Sequence, residues 1–301
     1  MTFALVFASH GSIWASTDRQ LADSRPHRSG PIGVKVTCIF APDGLALLVY
    51  AGIGRVWDTQ VSQWVYRTLL SRKIPLESCL EHVCDAARRK LRVHARRAGS
   101  GHLFLAAARV GEQPCLYTMD IMLPYSPLRG EMPRTRTQVI SRCCGTGAYY
   151  AEAFERPRIT KISRLIKRYD TGRISALVVA RELAALNIGV SERARIATVP
   201  DTSISRECVV CCRNVAGGGS YLAFNANGHL DRLAPNPNLP IVADGEPVSG
   251  MTEEWKAEMQ RRVRTLPPDA TPEERNAIMP GADYFRSLPE RVRSKPDEEF
   301  R

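Results

Sequence analysis

The chain has 301 residues, 44% hydrophobic and 24% charged, with a formal net charge of +11 at pH 7. That balance is globular and leaves room for a substantial core, while no apolar run reaches the roughly 18–20 residues that a membrane-spanning helix needs. Residues 3–8 are too short for a secretory h-region and follow no basic segment, so a cytoplasmic location without a membrane partner is expected.

Residues 3–9 and 12–17 read as a hairpin turning at His10-Gly11, followed by a polar loop over 24–33. A second hairpin joins 34–40 to 45–50 through Pro42-Asp43-Gly44, a strong turn signal. Helical periodicity covers about 56–71, with Val61, Trp64, Val65, Thr68 and Leu69 on one face. A second helix starts at Pro75 and runs to about Arg97, with proline in its first turn and arginines in its last. Residues 102–110 and 115–121 form a third hairpin, and a strand over 138–142 leads into Cys143-Cys144-Gly145-Thr146-Gly147. Two helices follow at 159–170 and 174–187, with helical pattern resuming over 191–197. A last hairpin joins 208–214 to 220–225 through Gly217-Gly218-Gly219. Strands in hairpins, interrupted by consecutive helices, predict an α+β fold of mostly antiparallel sheets with helices outside.

From about residue 231 prolines cluster, and one helix is expected near 251–264 behind the capping signal Thr252-Glu253-Glu254. The chain therefore divides into a body over 1–230 and a Pro-rich C-terminal extension over 231–301.

The nine cysteines are odd in number and show no disulfide framework. Cys208, Cys211 and Cys212 include a C-x-x-C, but in a β-type run adjacent cysteines face opposite sides of a sheet, so neither metal nor cofactor is expected. The basic clusters at 88–97 and 161–168 carry no aromatic stacking pattern. They read as solvated helix faces or subunit contacts, and nucleic acid is not expected as a partner.

The chemistry concentrates at the start. Methionine is usually trimmed before a residue as small as Thr2, which would leave a free α-amine beside the threonine hydroxyl. Such a hydroxyl needs a base within reach, and its own amine, with a reference pKa of about 7.7–8.0, can serve. The bland alternative is a frayed terminus.

The element order and several motifs resemble the proteasome-type N-terminal nucleophile (Ntn) hydrolase family, meaning proteasome β subunits and the bacterial proteasome-like ATP-dependent protease subunit, over about residues 2–226. Thr2 lies sixteen residues before Asp18, Val34-Lys35-Val36 resembles the family's lysine-bearing strand start, and Ala51-Gly52 and Gly145-Thr146-Gly147 match its glycine motifs. Asp201 is the counterpart of a loop aspartate, although Ile204 stands where the family has a serine, with Ser203 and Ser205 on either side.

The resemblance implies a four-layer αββα sandwich and a threonine peptidase. In it Thr2 attacks, Lys35 and Asp18 tune it, Gly52 holds the oxyanion, Thr146 orients the amine or its water, and Asp201 completes the catalytic set. It further implies peptide or unfolded-protein substrates, a homo-oligomer and an ATPase unfoldase partner. Two alternatives stay open: an amidohydrolase for a small amide, and a catalytically silent scaffold with a basic binding surface.

Overall fold

A computed structural model describes residues 2–23, 29–56, 59–99, 101–123, 128–215, 219–231 and 239–247. The fold is an α+β sandwich. One sheet runs in the order β12 (Ile140–Cys144), β1 (Ala4–Ala8), β2 (Ser12–Asp18), β13 (Cys208–Asn214), β14 (Gly219–Phe224), all antiparallel. The other runs β11 (Arg129–Glu131), β10 (Gln113–Asp120), β9 (Leu103–Val110), β6 (Gly44–Ala51), β5 (Val36–Ala41), β15 (Ile241–Ala243), β16 (Glu246–Pro247), with β15 parallel to β5. A small sheet of β4 (Ser29–Ile32), β3 (Gln20–Asp23), β7 (Ile53–Val56) and β8 (Thr59–Gln60) completes the set.

Three apolar clusters give four layers. Alternate residues of β1, β2, β5, β6 and β13, such as Val6, Ala15, Val36, Leu47 and Val209, meet between the two large sheets. The opposite faces pack outward. Leu48, Phe104 and Tyr117 lie against helices α1 (Val61–Leu69) and α2 (Leu76–Lys90). Leu5, Phe7, Trp14 and Val210 lie against α5 (Arg156–Asp170) and α6 (Ala176–Arg195). Strands buried on both faces read as continuous apolar runs, as β1 does. The cysteines follow the same alternation: Cys208 and Cys212 face the helices while Cys211 faces the other sheet.

The structure departs from the sequence expectations at five places. The helix expected from 56 begins at Val61, because Ile53–Val56 is extended as β7 and paired with β3 and β8. Residues 75–97 form two helices, α2 and α3 (Arg92–Arg97), meeting at Leu91. Gly147–Phe154 forms a helix, α4, for which no element was expected. Residues 174–197 hold one continuous helix, whose Gly189 lies against the Glu155 carboxylate. The loop expected over 24–33 contains β4.

The stretch expected as an extension supplies β15 and β16 to the large sheet, while its helix near 251–264, and Gly217 and Gly218, lie outside the described residues. No described helix is long and apolar enough to cross a membrane.

Candidate active site

Strand pairing explains why residues fifteen apart meet. Ala4 pairs with Thr17 across the β1–β2 hairpin, so Phe3 and Asp18 fall opposite each other one step on. The Phe3 N–H donates to Asp18 Oδ1 at 2.7 Å, and the Asp18 N–H returns to the Phe3 carbonyl at 3.1 Å. Lys35 enters from the other large sheet. The Ser62 hydroxyl at the start of α1 donates to the Val34 carbonyl at 2.8 Å, and the Thr37 hydroxyl donates to the Ser62 carbonyl at 3.2 Å, so α1 clamps the backbone on both sides of Lys35. Lys35 Nζ then donates to Asp18 Oδ1 at 2.8 Å, and neither side chain has exposed surface.

A fully buried ion pair persists only when its remaining polar valences are met. Asp18 meets them with three backbone donors: Phe3 on Oδ1, and Gln20 at 3.2 Å and Ser205 at 3.5 Å on Oδ2. Burial holds the Lys35 ammonium below its ordinary pKa, with Asp18 opposing the shift. Cys144, beside Gly145 on β12, is also buried, and burial pushes its thiol up while the nearby Lys35 works against that.

Gly52, at the end of β6, donates its N–H to Thr2 Oγ1 at 3.0 Å, and Thr2 itself is fully buried. Its φ of +121° is a conformation that disfavours side chains, and a Cβ there would stand 2.4 Å from the Gly101 carbonyl and 2.8 Å from His102 Nδ1. His102 is 1% exposed, stacks on Tyr50 at 5.6 Å, and meets Phe104 edge-on at 4.8 Å. Neither of its ring nitrogens has a hydrogen-bond partner among the described residues. Burial lowers its pKa to about 3, so the ring is neutral at physiological pH.

On the far side of Thr2, Gly145 takes φ +88° against the Thr2 carbonyl, where a Cβ would come within 1.9 Å of the oxygen. The Gly147 N–H donates to the same carbonyl at 3.4 Å. Between these glycines Thr146 donates its hydroxyl to Asp201 Oδ2 at 3.0 Å. Asp201 also accepts the Ser203 hydroxyl, and the Ser203 N–H at 2.9 Å. Burial works to raise the Asp201 carboxyl, but the bonds from Ser203 and Thr146 outweigh it and hold the pKa below the ordinary value.

The expected residues thus fall into three contacts: Thr2 with Gly52, Lys35 with Asp18, and Thr146 with Asp201. Ile204, at the position where a serine was sought, is a fully buried residue of the helix-facing core, and Ser203 bonds the aspartate instead. The Asp-x-Ser spacing of 201–203, an Asx-turn signature, is the signal that identifies Ser203. His102 carries no such signal, because a lone histidine ahead of an apolar strand looks like any core residue. Among the described residues no cluster of three or more His, Cys, Asp and Glu side chains could hold a metal.

No family model matches the chain, and no curated protein matches it. Solved structures that align with it include an Anbu (Gly-1) mutant from Hyphomicrobium sp. strain MC1, with 11% identity over 90% of this chain and 100% of that one, at a TM-score of 0.45. Anbu, described as an ancestral beta-subunit, from Yersinia bercovieri aligns at 10% identity over 89% and 99% of the two chains, also at TM-score 0.45. The helical assembly of the Anbu complex from Pseudomonas aeruginosa aligns at 13% identity over 89% and 98%, at TM-score 0.43.

The resemblance to proteasome β subunits and the bacterial ATP-dependent protease subunit is corrected accordingly. A few short motifs at strand ends record a local geometry, and neither a family model nor these Anbu alignments, all below a TM-score of 0.5, extends that into membership.

Proposed function

We propose that this chain hydrolyses amide bonds with the Thr2 hydroxyl as nucleophile, once removal of residue 1 frees the Thr2 amine. The observation that carries the reading is the Gly52 N–H aimed at Thr2 Oγ1 from a backbone conformation that excludes a side chain. An N–H so directed can hold the charge that develops on a substrate carbonyl oxygen beside the attacking hydroxyl.

In this mechanism Thr2 Oγ bonds to the carbonyl carbon while its proton passes to the α-amine. The oxyanion turns to the Gly52 N–H. The C–N bond then breaks, the amine's proton leaves with the departing nitrogen, and an ester remains on Thr2. Water hydrolyses that ester and restores the hydroxyl. The Lys35 ammonium, anchored on Asp18, supplies positive charge beside the Thr2–Phe3 segment, which favours the alkoxide character of Oγ. Thr146, Asp201 and Ser203 form a polar relay for the freed amine. Peptide bonds fall within this chemistry. A homo-oligomer fits the exposed Tyr149, Phe154, Ile196 and Val199 near α4 and the end of α6.

Two measurements test the reading. Intact mass of the purified protein should show residue 1 missing. Hydrolysis of fluorogenic amides should fall by about 10³-fold or more in Thr2→Ala, since the residual rate then rests on binding and the oxyanion donor alone. Retention of residue 1 in the active species would end the proposal.

A further inference from the structure

The two catalytic segments are each followed directly by a strand, and those two strands pair with each other. Asp18 leads into β3 and Gly52 leads into β7. They run parallel, Ala22 beside Ile53 and Asp23 beside Arg55. Each also has its second neighbour, β4 on β3 and β8 on β7, so both strands flanking the nucleophile are internal and the free edges of the small sheet belong to β4 and β8.

Side chains close what the backbones leave. Leu21 is fully buried and Ile53 is 1% exposed. The Leu21 side chain fills the space over two glycines: a Cβ on Gly33 would stand 2.4 Å from Leu21 Cδ1, and one on Gly54 would stand 2.9 Å from Leu21 Cδ2. On the opposite side, Gly145 and Thr146, which pack next to the buried Thr2, reach the surface.

An extended peptide binds a sheet by adding a strand to a free edge, with main-chain hydrogen bonds supplying the affinity. β3 covers one side of β7 at Ile53 and Arg55, and β8 covers the other at Arg55 and Val56, so neither β3 nor β7 offers a whole free edge. Resting on the Thr2 reading above, we infer that the substrate is a short amide that reaches Thr2 from the Thr146–Asp201 side, and not a polypeptide laid along the strands that flank the site. The β3–β7 pairing takes up backbone groups that a longer chain laid between these strands would need. The unfolded-protein substrate and the unfoldase that would deliver it go with the longer chain and fall outside this inference.

The test uses one β-lactone warhead carrying either a methyl group or a tripeptidyl substituent. Thr2 Oγ attacks the lactone carbonyl, the ring C–O bond breaks, and the hydroxyl proton ends on the released alkoxide, leaving an ester on Thr2 that mass spectrometry maps. The methyl lactone should label Thr2 at least about tenfold faster than the tripeptidyl one. Gly54→Val, whose side chain would wedge β7 off Leu21, should narrow that ratio while the methyl lactone rate stays within about threefold. Arg55→Pro, which removes an N–H from β7, provides the same comparison should the valine variant fail to fold. Equal or faster labelling of the unaltered chain by the tripeptidyl lactone overturns the short-amide assignment and leaves the Thr2 nucleophile standing. Labelling by neither lactone overturns the nucleophile, and the assignment with it.

Discussion

Gly52 and His102 form one unit at the scale of single residues. The glycine's φ of +121° brings its N–H to Thr2 Oγ1, and the imidazole packs where a Cβ would go. Gly52→Ala should therefore lower kcat by about 10²–10³-fold, the loss typical of one oxyanion donor, and steady-state kinetics would read it. The histidine makes a separate prediction about pH. Its folded-state pKa of about 3 lies below the ordinary 6.5, so between those values the unfolded chain binds a proton that the folded chain does not. Stability is then lost as pH falls through that window, by roughly 3 kcal/mol between pH 6.5 and pH 4. His102→Phe keeps an aromatic ring against Tyr50 and Phe104 and removes the titrating group. Its denaturation midpoint should fall less between pH 7 and pH 4 than that of the unaltered chain; parallel pH profiles would exclude the imidazole as the source.

Among elements, the glycine that ends β12 shows how position decides cost. Gly145 and Gly111 both have positive φ, +88° and +56°. Beside Gly111 a Cβ would meet open space, whereas beside Gly145 it would meet the Thr2 carbonyl. Gly111→Ala should cost about 1 kcal/mol of conformational strain with activity intact. Gly145→Ala should displace β1 from β12 and abolish hydrolysis, even where calorimetry still finds a folded protein. The sequence makes part of this legible. A short hairpin converts a separation of fifteen residues into adjacency, so Asp18 lands beside the Thr2–Phe3 segment, whereas Lys35 is picked out only by the motif on which the resemblance rests. Hydrophobic periodicity also reveals the large strands and the faces of α2 and α6. It does not reveal β7 and β8, because the four residues from Ile53 to Val56 are too few to separate a strand from the first turn of the helix behind them. Ser203 is masked for another reason: the resemblance points to position 204, whose Ile204 is drawn into the core, while the Asp-x-Ser turn signature belongs to 201–203.

For the molecule as a whole, the strongest test concerns how the body is closed. β15 lies parallel to β5, with the Cys38 N–H donating to the Pro240 carbonyl at 2.8 Å and the Asp244 N–H to the Phe40 carbonyl at 2.9 Å. Gly245 reaches further, its carbonyl accepting the Ser71 N–H at 2.6 Å just past α1. Val242 is 2% exposed in the cluster under α1 and α2, and Ala243 is 1% exposed. A chain ending at residue 238 loses all of this at once. Burial of one valine alone accounts for about 1.5–3 kcal/mol, and β5 becomes an edge strand with a row of unpaired N–H and C=O groups next to apolar side chains. Truncation at 238 should therefore lower the melting temperature by several degrees and raise light scattering on heating, since ~1 kcal/mol shifts Tm by about 2–4 °C for a body of this size. The residues of the three active-site contacts all precede residue 206, so hydrolysis per folded molecule should persist at low temperature. An unchanged melting temperature would mean that β15 rests on the sheet without stabilising it. Lost hydrolysis in a truncated chain that is still folded would mean that this strand, through β5, sets the position of Lys35.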